Sequence, residues 1–428
     1  MPGVARSLRE LTSEALVAAA RRRLRRRADV RRVEALARES GVCVRITGGS
    51  VRDAFLACLA PAGAARTERG DLDLALAPAH ARRFSTLLAR RAGTRVLELG
   101  ASPRRVLRIL CGAREIDVWE EEGGAAEDIL RRDFTVNALS FELPGGRFAS
   151  PPDALADLRA RRLALPRPGV LLEDPLRVLR AARFVATLPG FRLAEEAVPE
   201  MLTAAPHLAS TAPERRMAEM DILLSASPRA IRTALGGLEE WGALAAIVPG
   251  ASSLERRAGI RLAGRLAQPA ASVARVLLLV PLGLRRAFDV LASWRVSRRE
   301  RQLAGILLAL PLRRRTGPVG RREAVLTLRA VHPFEREAAA FLAAAGDPGT
   351  RALGAALLRL ASTPAAAARL VRPRRPLSVP EIAGLLGAGR GPELGAALAR
   401  LDTALASGEV RGIRATRLFL KRLRVPAR

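Results

Sequence analysis

Two aspartates one residue apart, Asp71 and Asp73, stand in the run DLDLALA, whose apolar content predicts a strand. Side chains at i and i+2 of a strand project to the same side, so this spacing brings two carboxylates together. Like charges that close repel unless a cation lies between them. A hard divalent ion such as Mg²⁺, shared with substrate phosphates, answers that need. Gly48 and Gly49 lie upstream, between a predicted strand that ends at Thr47 and a helix expected from Ser50. A glycine pair there lets backbone approach a phosphate at a helix N-terminus, although a plain turn also uses such a pair. Asp117, in REIDVWE, falls on another predicted strand. It is either an edge charge or a third carboxylate of a two-metal site for phosphoryl transfer.

Two dense clusters follow, LRRDFTVNAL at 130–139 and LLEDPLRVLRAARF at 171–184. A helix beginning at Pro175 would carry Arg177, Arg180 and Arg183 at i, i+3 and i+6, within about a third of its circumference. Such a ladder suits a polyphosphate. Arg131 and Arg132, taken alone, are equally readable as a solvated pair.

The elements that must position these residues change character along the chain. Between 41 and 148, the runs VCVRIT, DLDLALA, RVLRIL, EIDVWE and TVNALSFEL alternate with helical patterns such as AHARRFSTLLARRAG. After residue 170 the pattern is helical throughout, with Pro and Gly breaks and no fixed repeat. LLLVPLGL, at 277–284, reads as a core helix or a turn between helices. The expected organisation is a basic helical arm at 1–40, a mixed α/β head at 41–165, a helical segment at 166–250 and a helical remainder at 251–428. Within the arm, RRRLRRRADVRR is either a solvated helix face or a contact for RNA.

Composition narrows the partners. Among 428 residues, 72 Lys and Arg against 42 Asp and Glu give a net charge of +30, and Lys421 is the sole lysine. Such a surface attracts nucleic acid or an anionic membrane surface. Cys43, Cys58 and Cys111 lack CxxC spacing, which suggests buried thiols in a reducing compartment. No secretory signal pattern and no membrane-length apolar run are present, so a cytoplasmic location is expected. His80, His207 and His332 are scattered and read as structural.

In this order, GGSVRD with DLD, RRDFTVNAL, EDPLRVLRAARF, and PERRMAEM followed by LEEWGALAAIVPG resemble the class II tRNA nucleotidyltransferase and bacterial poly(A) polymerase family. The likeness covers residues 41–250. It implies an α+β protein with a palm-like, mixed-sheet nucleotidyltransferase head followed by an all-helical neck, body and tail. It also implies addition of C, A or both to the 3′ end of tRNA from CTP and ATP, by a mechanism using two Mg²⁺ ions. Poly(A) synthesis on general RNA and addition of A alone are the alternatives, and no membrane or protein partner is implied.

Carried onto this sequence, the family pattern makes Asp71 and Asp73 the metal ligands, with Asp117 acting on the primer 3′-hydroxyl. Gly48, Gly49 and Arg52 would hold the triphosphate, while Arg132, Asp133 and Asn137 meet the incoming nucleotide. Asp174 and Arg177 would read the base edge, Arg180 and Arg183 would reach phosphates, and Glu214 with Arg215 would brace the neck. Only EEEGGAAE separates Trp119 from DILRRDFT, where CCA-adding members usually carry a longer segment. That departure resembles CC-adding enzymes and some short-form members. A nonenzymatic RNA-binding protein, or a nucleotidyltransferase with a different acceptor, are readings of other classes.

Overall fold

The alternation expected between residues 41 and 148 becomes a seven-stranded sheet in the computed structural model, which describes residues 12–60, 70–100, 105–112, 114–121, 124–312, 317–389 and 391–423. Its strands are β1 (Val44–Thr47), β2 (Leu72–Leu76), β3 (Val96–Leu99), β4 (Val106–Cys111), β5 (Arg114–Glu120), β6 (Ser140–Leu143) and β7 (Phe148–Ala149). They lie in the order β3-β4-β5-β2-β1-β6-β7, with β2 and β5 parallel and the other neighbours antiparallel. The helices of this part are α1 (Ser13–Arg26), α2 (Ala28–Ser40), α3 (Gly49–Leu59), α4 (Pro78–Arg91), α5 (Gly124–Leu130), α6 (Ala154–Ala160), α7 (Val170–Glu173) and α8 (Leu176–Thr187).

The two faces of the sheet differ because strand side chains alternate. Val44, Ile46, Leu72, Leu74, Leu76, Ile116 and Val118 are all buried, and Phe55 of α3 stacks on Phe141 of β6 beside them. Helix α3 packs on β1 and β2, and α4 on β3, β4 and β5. Each fully buried aliphatic side chain contributes about 1.5–3 kcal/mol, so this face fixes strand register firmly. The opposite face is thereby left to Thr47, Asp73 and Asp117.

Three sequence expectations change here. TVNALSFEL is strand only from Ser140; Thr135–Asn137 is a 3₁₀ turn, because the Asp133 carboxylate accepts the Phe134 N–H and the Asn137 amide at 2.8 and 2.9 Å. The edge strand β3 is not among the expected strands; two of its four residues are exposed, so it lacks a buried face to create a pattern. Cys43 is exposed and Cys58 and Cys111 are half-buried free thiols rather than core thiols.

The basic block is partly turned inward. Arg27 breaks the path between α1 and α2, grips Asp29 with Nε and Nη2 at 3.0 and 2.7 Å, and donates to the Gly70 carbonyl at 2.9 Å. Arg25 pairs with Glu34 at 2.6 Å and donates to the Pro144 carbonyl. Helix α1 packs on α3. Residues 1–11 of the expected arm lie outside the described residues, as do 61–69 between α3 and β2.

The chain divides into two compact units, Met1–Leu208 and Ala209–Arg428. The described residues of the second are helices and turns, from Pro213–Leu224 to Gly412–Leu423. The apolar run at 277–284 is both things expected of it: a helix, Ala271–Leu279, ending in a 3₁₀ turn, Val280–Leu282. A Cβ on Gly259 would lie 2.2 Å from the Leu278 carbonyl oxygen, so glycine lets two helices approach backbone to backbone. Trp294, 2% exposed, donates to the Ile247 carbonyl, and buried Arg275 joins Asp221 and Glu300 at 2.7 and 2.9 Å. Glu214 pairs with Arg295 at 3.0 Å. No helix among the described residues is long and apolar enough to cross a membrane.

Candidate active site

Strand register builds the site. Residues paired across neighbouring strands share a face, and the pairings Arg108 with Asp117, Asp117 with Asp73, Asp73 with Thr47, and Thr47 with Ser140 run one polar row across four interfaces. The carboxylates of Asp73 and Asp117 are therefore cross-strand neighbours. Asp71 differs from expectation: the strand begins at Leu72, and Asp71 is exposed at its mouth, where Oδ1 accepts the Glu115 N–H at 3.2 Å.

Burial pushes the Asp73 carboxyl up to about 6, with the Asp117 charge adding to it and the Arg132 guanidinium opposing. Asp117 is gripped at both oxygens, with Arg108 Nε and Nη2 each at 2.8 Å. That pair holds Arg108 above its usual range. The turn from β1 into α3 comes close to Asp73. Gly48 has φ +74°, and a Cβ there would meet Asp73 Oδ2 at 3.0 Å and Arg132 Nη1 at 3.8 Å. Among the described residues, no group of three or more His, Cys, Asp or Glu side chains is gathered to hold a metal ion.

Beside the row lies a buried hub. Asp133 accepts from the Phe134 N–H, the Asn137 amide and Arg180, whose Nε and Nη2 stand 2.8 and 2.7 Å away. Burial alone would raise its carboxyl, but the Arg180 charge and these hydrogen bonds outweigh it and hold Asp133 at about 2. Asn137 passes the chain on, its Oδ1 accepting from Arg52 Nη1 at 2.7 Å, while Arg52 also pairs with Asp53 at 2.8 Å. The guanidinium groups of Arg52, Arg180 and Arg183 lie 5.4, 5.8 and 4.3 Å from the centroid of the Phe184 ring.

The expected arginine ladder is thus divided in its contacts. Arg180 serves Asp133, while Arg177 donates to the carbonyls of Val170 and Arg131 at 2.8 and 2.6 Å. Burial lowers Arg177 from its ordinary range. Asp174 forms the turn into α8, its Oδ1 accepting the Leu176 N–H at 3.3 Å. The Gly169–Leu171 turn beneath it is held by Glu200, which accepts both of those N–H groups at 2.9 and 2.6 Å.

No family model matches the chain. The CC-adding tRNA nucleotidyltransferase of Synechocystis sp. is 33% identical over 186 residues, 43% of this chain and 42% of that protein. The multifunctional CCA protein of Xanthomonas axonopodis pv. citri is 42% identical over 133 residues, 30% of this chain and 32% of its own. The matched stretch spans less than half the length of these relatives. Over longer spans, the Bacillus stearothermophilus CCA-adding enzyme solved with CTP aligns with a TM-score of 0.68 at 22% identity, covering 92% of this chain and 98% of that one. For the Thermotoga maritima CCA-adding enzyme solved with tRNA the values are 0.65 and 16%, with 97% of each chain covered. The chain shares the fold of these CCA-adding enzymes, and its matched stretch is similar in sequence to CC- and CCA-adding proteins.

The first unit brings together Gly48, Gly49, Arg52, Asp73, Asp117, Arg132, Asp133, Asn137 and Arg180 on and beside one sheet face. Sequence reasoning missed Arg108 and Phe184. Arg108 had a visible signal, a charge at the centre of the apolar strand run RVLRIL, but its partner became readable only from register. Phe184 ends the motif LLEDPLRVLRAARF and looks like an ordinary core residue; its role as a platform for three arginines depends on Arg52 from α3.

Proposed function

We propose that this protein extends the 3′ end of tRNA with cytidine, adenosine or both, by nucleotidyl transfer from CTP and ATP with release of pyrophosphate. The observation that carries this reading is the cross-strand pairing of Asp73 with Asp117 beside the close Gly48 turn. The relatives named above add the acceptor and nucleotides, since they are described as CCA- or CC-adding proteins.

The residues fit magnesium in part. Hard carboxylate oxygens are the right donors, and burial, with the Asp117 charge adding to it, raises Asp73 in a way that a bound divalent cation relieves. Asp71 and Asp73 would hold two ions, whose contribution when bound is charge neutralisation at the triphosphate and activation of the 3′-hydroxyl. Asp117, engaged by Arg108, would orient that hydroxyl through a lone pair the guanidinium leaves open. Gly48, Gly49, Arg52, Arg132 and Arg183 would receive the triphosphate. Asp133, Asn137 and Arg180 would seat the nucleotide, and Asp174 with Arg177 would read its base edge. A carboxylate accepts from the exocyclic amine of C or A, and a guanidinium donates to ring acceptors, a pattern that U and G lack.

The test is incubation of the protein with tRNA lacking its end, tRNA ending in C, tRNA ending in CC and an unrelated RNA, each with CTP, ATP and both. Addition that stops after two cytidines identifies CC addition; the short connection between β5 and α5 favours that outcome or an unusual form of CCA addition. One further adenosine gives full CCA synthesis. Long A-tracts on the unrelated RNA with no cytidine on any tRNA would overturn the proposal.

A second test uses paired glycines. Gly41 and Gly48 both have positive φ, +64° and +74°, but a Cβ at Gly41 meets nothing within 4 Å. Gly41→Ala is expected to cost about 1–2 kcal/mol of stability and leave turnover intact. Gly48→Ala should cost a similar amount and also lower turnover about a hundredfold by displacing Asp73. Equal turnover in the two variants would refute the close approach as functional.

A further inference from the structure

The connection from β5 to α5 brings in two acidic residues that the proposed chemistry leaves without a role. Glu121 follows β5 and Asp128 lies on α5, and both face Arg45 at the centre of β1. Arg45 pairs in register with Ala75, two residues beyond Asp73, so its side chain leaves the sheet on the same face as Asp73. With its side chain only 6% exposed, Arg45 is a buried charge on a central strand. Such a charge is tolerated only where it is matched. Glu121 supplies the direct ion pair, and Asp128 Oδ2 lies 3.7 Å from Arg45 Nη2.

The same Asp128 oxygen accepts from Arg132 Nη2 at 2.8 Å. Arg132 then reaches the carboxylate row, since its Nη1 and Asp73 Oδ2 border one point beside Gly48. Charges alternate along the path: Glu121, Arg45, Asp128, Arg132, Asp73. Arg132 is a cation among carboxylates, its charge acting on Asp73 and on Glu121 as well, and without Asp128 these compete for it. A guanidinium paired with Asp73 would be taken from the nucleotide and would occupy a carboxylate the reaction needs.

We infer that Asp128 is a positioning residue, which holds Arg132 away from Asp73 and aimed at the triphosphate, and that Arg45 holds Asp128 in turn. This rests on the reading above that Arg132 meets the nucleotide. It assigns a function to Glu121 and Asp128, which flank the connection: they tie the central strand to the RRD segment through ion pairs.

The test is a double-mutant cycle of Asp128→Ala and Arg132→Ala, read by nucleotide KM and kcat and by equilibrium binding of CTP. Asp128→Ala alone should raise KM and weaken CTP binding about tenfold, with Asp128→Glu restoring most of it. In the Arg132→Ala background, Asp128→Ala should have no further effect, because the residue through which it acts is gone. Asp128→Asn, which keeps the acceptor and loses the charge, should fall between and serves if the alanine variant does not fold. Losses that multiply in the double variant, or CTP binding unchanged by Asp128→Ala, would overturn the inference. Because binding needs no turnover, an inactive parent protein would count against the proposed reaction while the cycle still decides the role of Asp128.

Discussion

Replacing Asp73 by asparagine is expected to lower nucleotide transfer about a thousandfold or more while leaving the protein folded. The chemistry loses an anionic oxygen from a pair of carboxylates that are register partners on neighbouring strands. The fold, by contrast, loses a liability. Burial, reinforced by Asp117, pushes the Asp73 carboxyl from its ordinary 3.8 up to about 6, so at neutral pH the native state carries an ionised group in a site that disfavours it. For a carboxyl raised on folding, that penalty is fully present above pH 6, shrinks as pH falls through about 6, and is gone below about 4, where the unfolded chain is protonated too. In the presence of a chelator, Asp73→Asn should therefore melt at or above the parent temperature at pH 7 and match the parent near pH 4. Turnover close to that of the parent in a folded Asp73→Asn protein would sink both the metal assignment and the catalytic role of the row.

How much of this was legible in the sequence depends on the range of the interaction involved. The turn and the motif helix are local, and they fall where the residues place them: a strand ending at Thr47, a helix from Gly49, and a helix from Leu176 behind Pro175. The pairing of Asp73 with Asp117 is not local. It requires β2 and β5 to lie side by side and parallel although β3, β4 and α4 intervene, and no periodicity encodes which strands become neighbours. The same limit hid Arg45, which looks like a misplaced charge in an apolar strand until Glu121 arrives from beyond β5, whereas Arg108 has its partner only nine residues on, across the hairpin of β4 and β5. Asn137 was misplaced for a different reason. TVNALSFEL has β-type composition throughout, and the Asp133 side chain competes for the backbone at its start, converting three residues to a turn. The arginine ladder was correctly set on one helix, yet equal spacing did not mean equal roles, because what each guanidinium meets is decided by α7, the 3₁₀ turn and Arg131.

Asp133→Asn should damage both stability and turnover, and it separates charge from hydrogen bonding. The amide keeps an oxygen for the Phe134 N–H, so local turn geometry is largely retained. It loses the charge that Arg180 meets with two nitrogens and cannot satisfy Asn137 and Arg180 as fully. Arg180 has a side chain 37% exposed and recovers part of its loss from water, whereas Asn137 is 5% exposed and cannot. A cost of about 2–3 kcal/mol follows, below the usual figure for breaking a fully buried pair. The pH dependence carries the sign of a depressed carboxyl. Asp133 is held at about 2 against an ordinary 3.8, so its contribution is complete above about pH 4 and is lost as pH falls toward 2. The variant should start lower at pH 7 and lose less than the parent across that acid window. Turnover should fall about a hundredfold, because Asn137 is the acceptor that fixes Arg52 and the two would loosen together. Equal acid limbs in parent and variant, with turnover retained, would mean that the hub neither stores the charge energy nor aims Arg52.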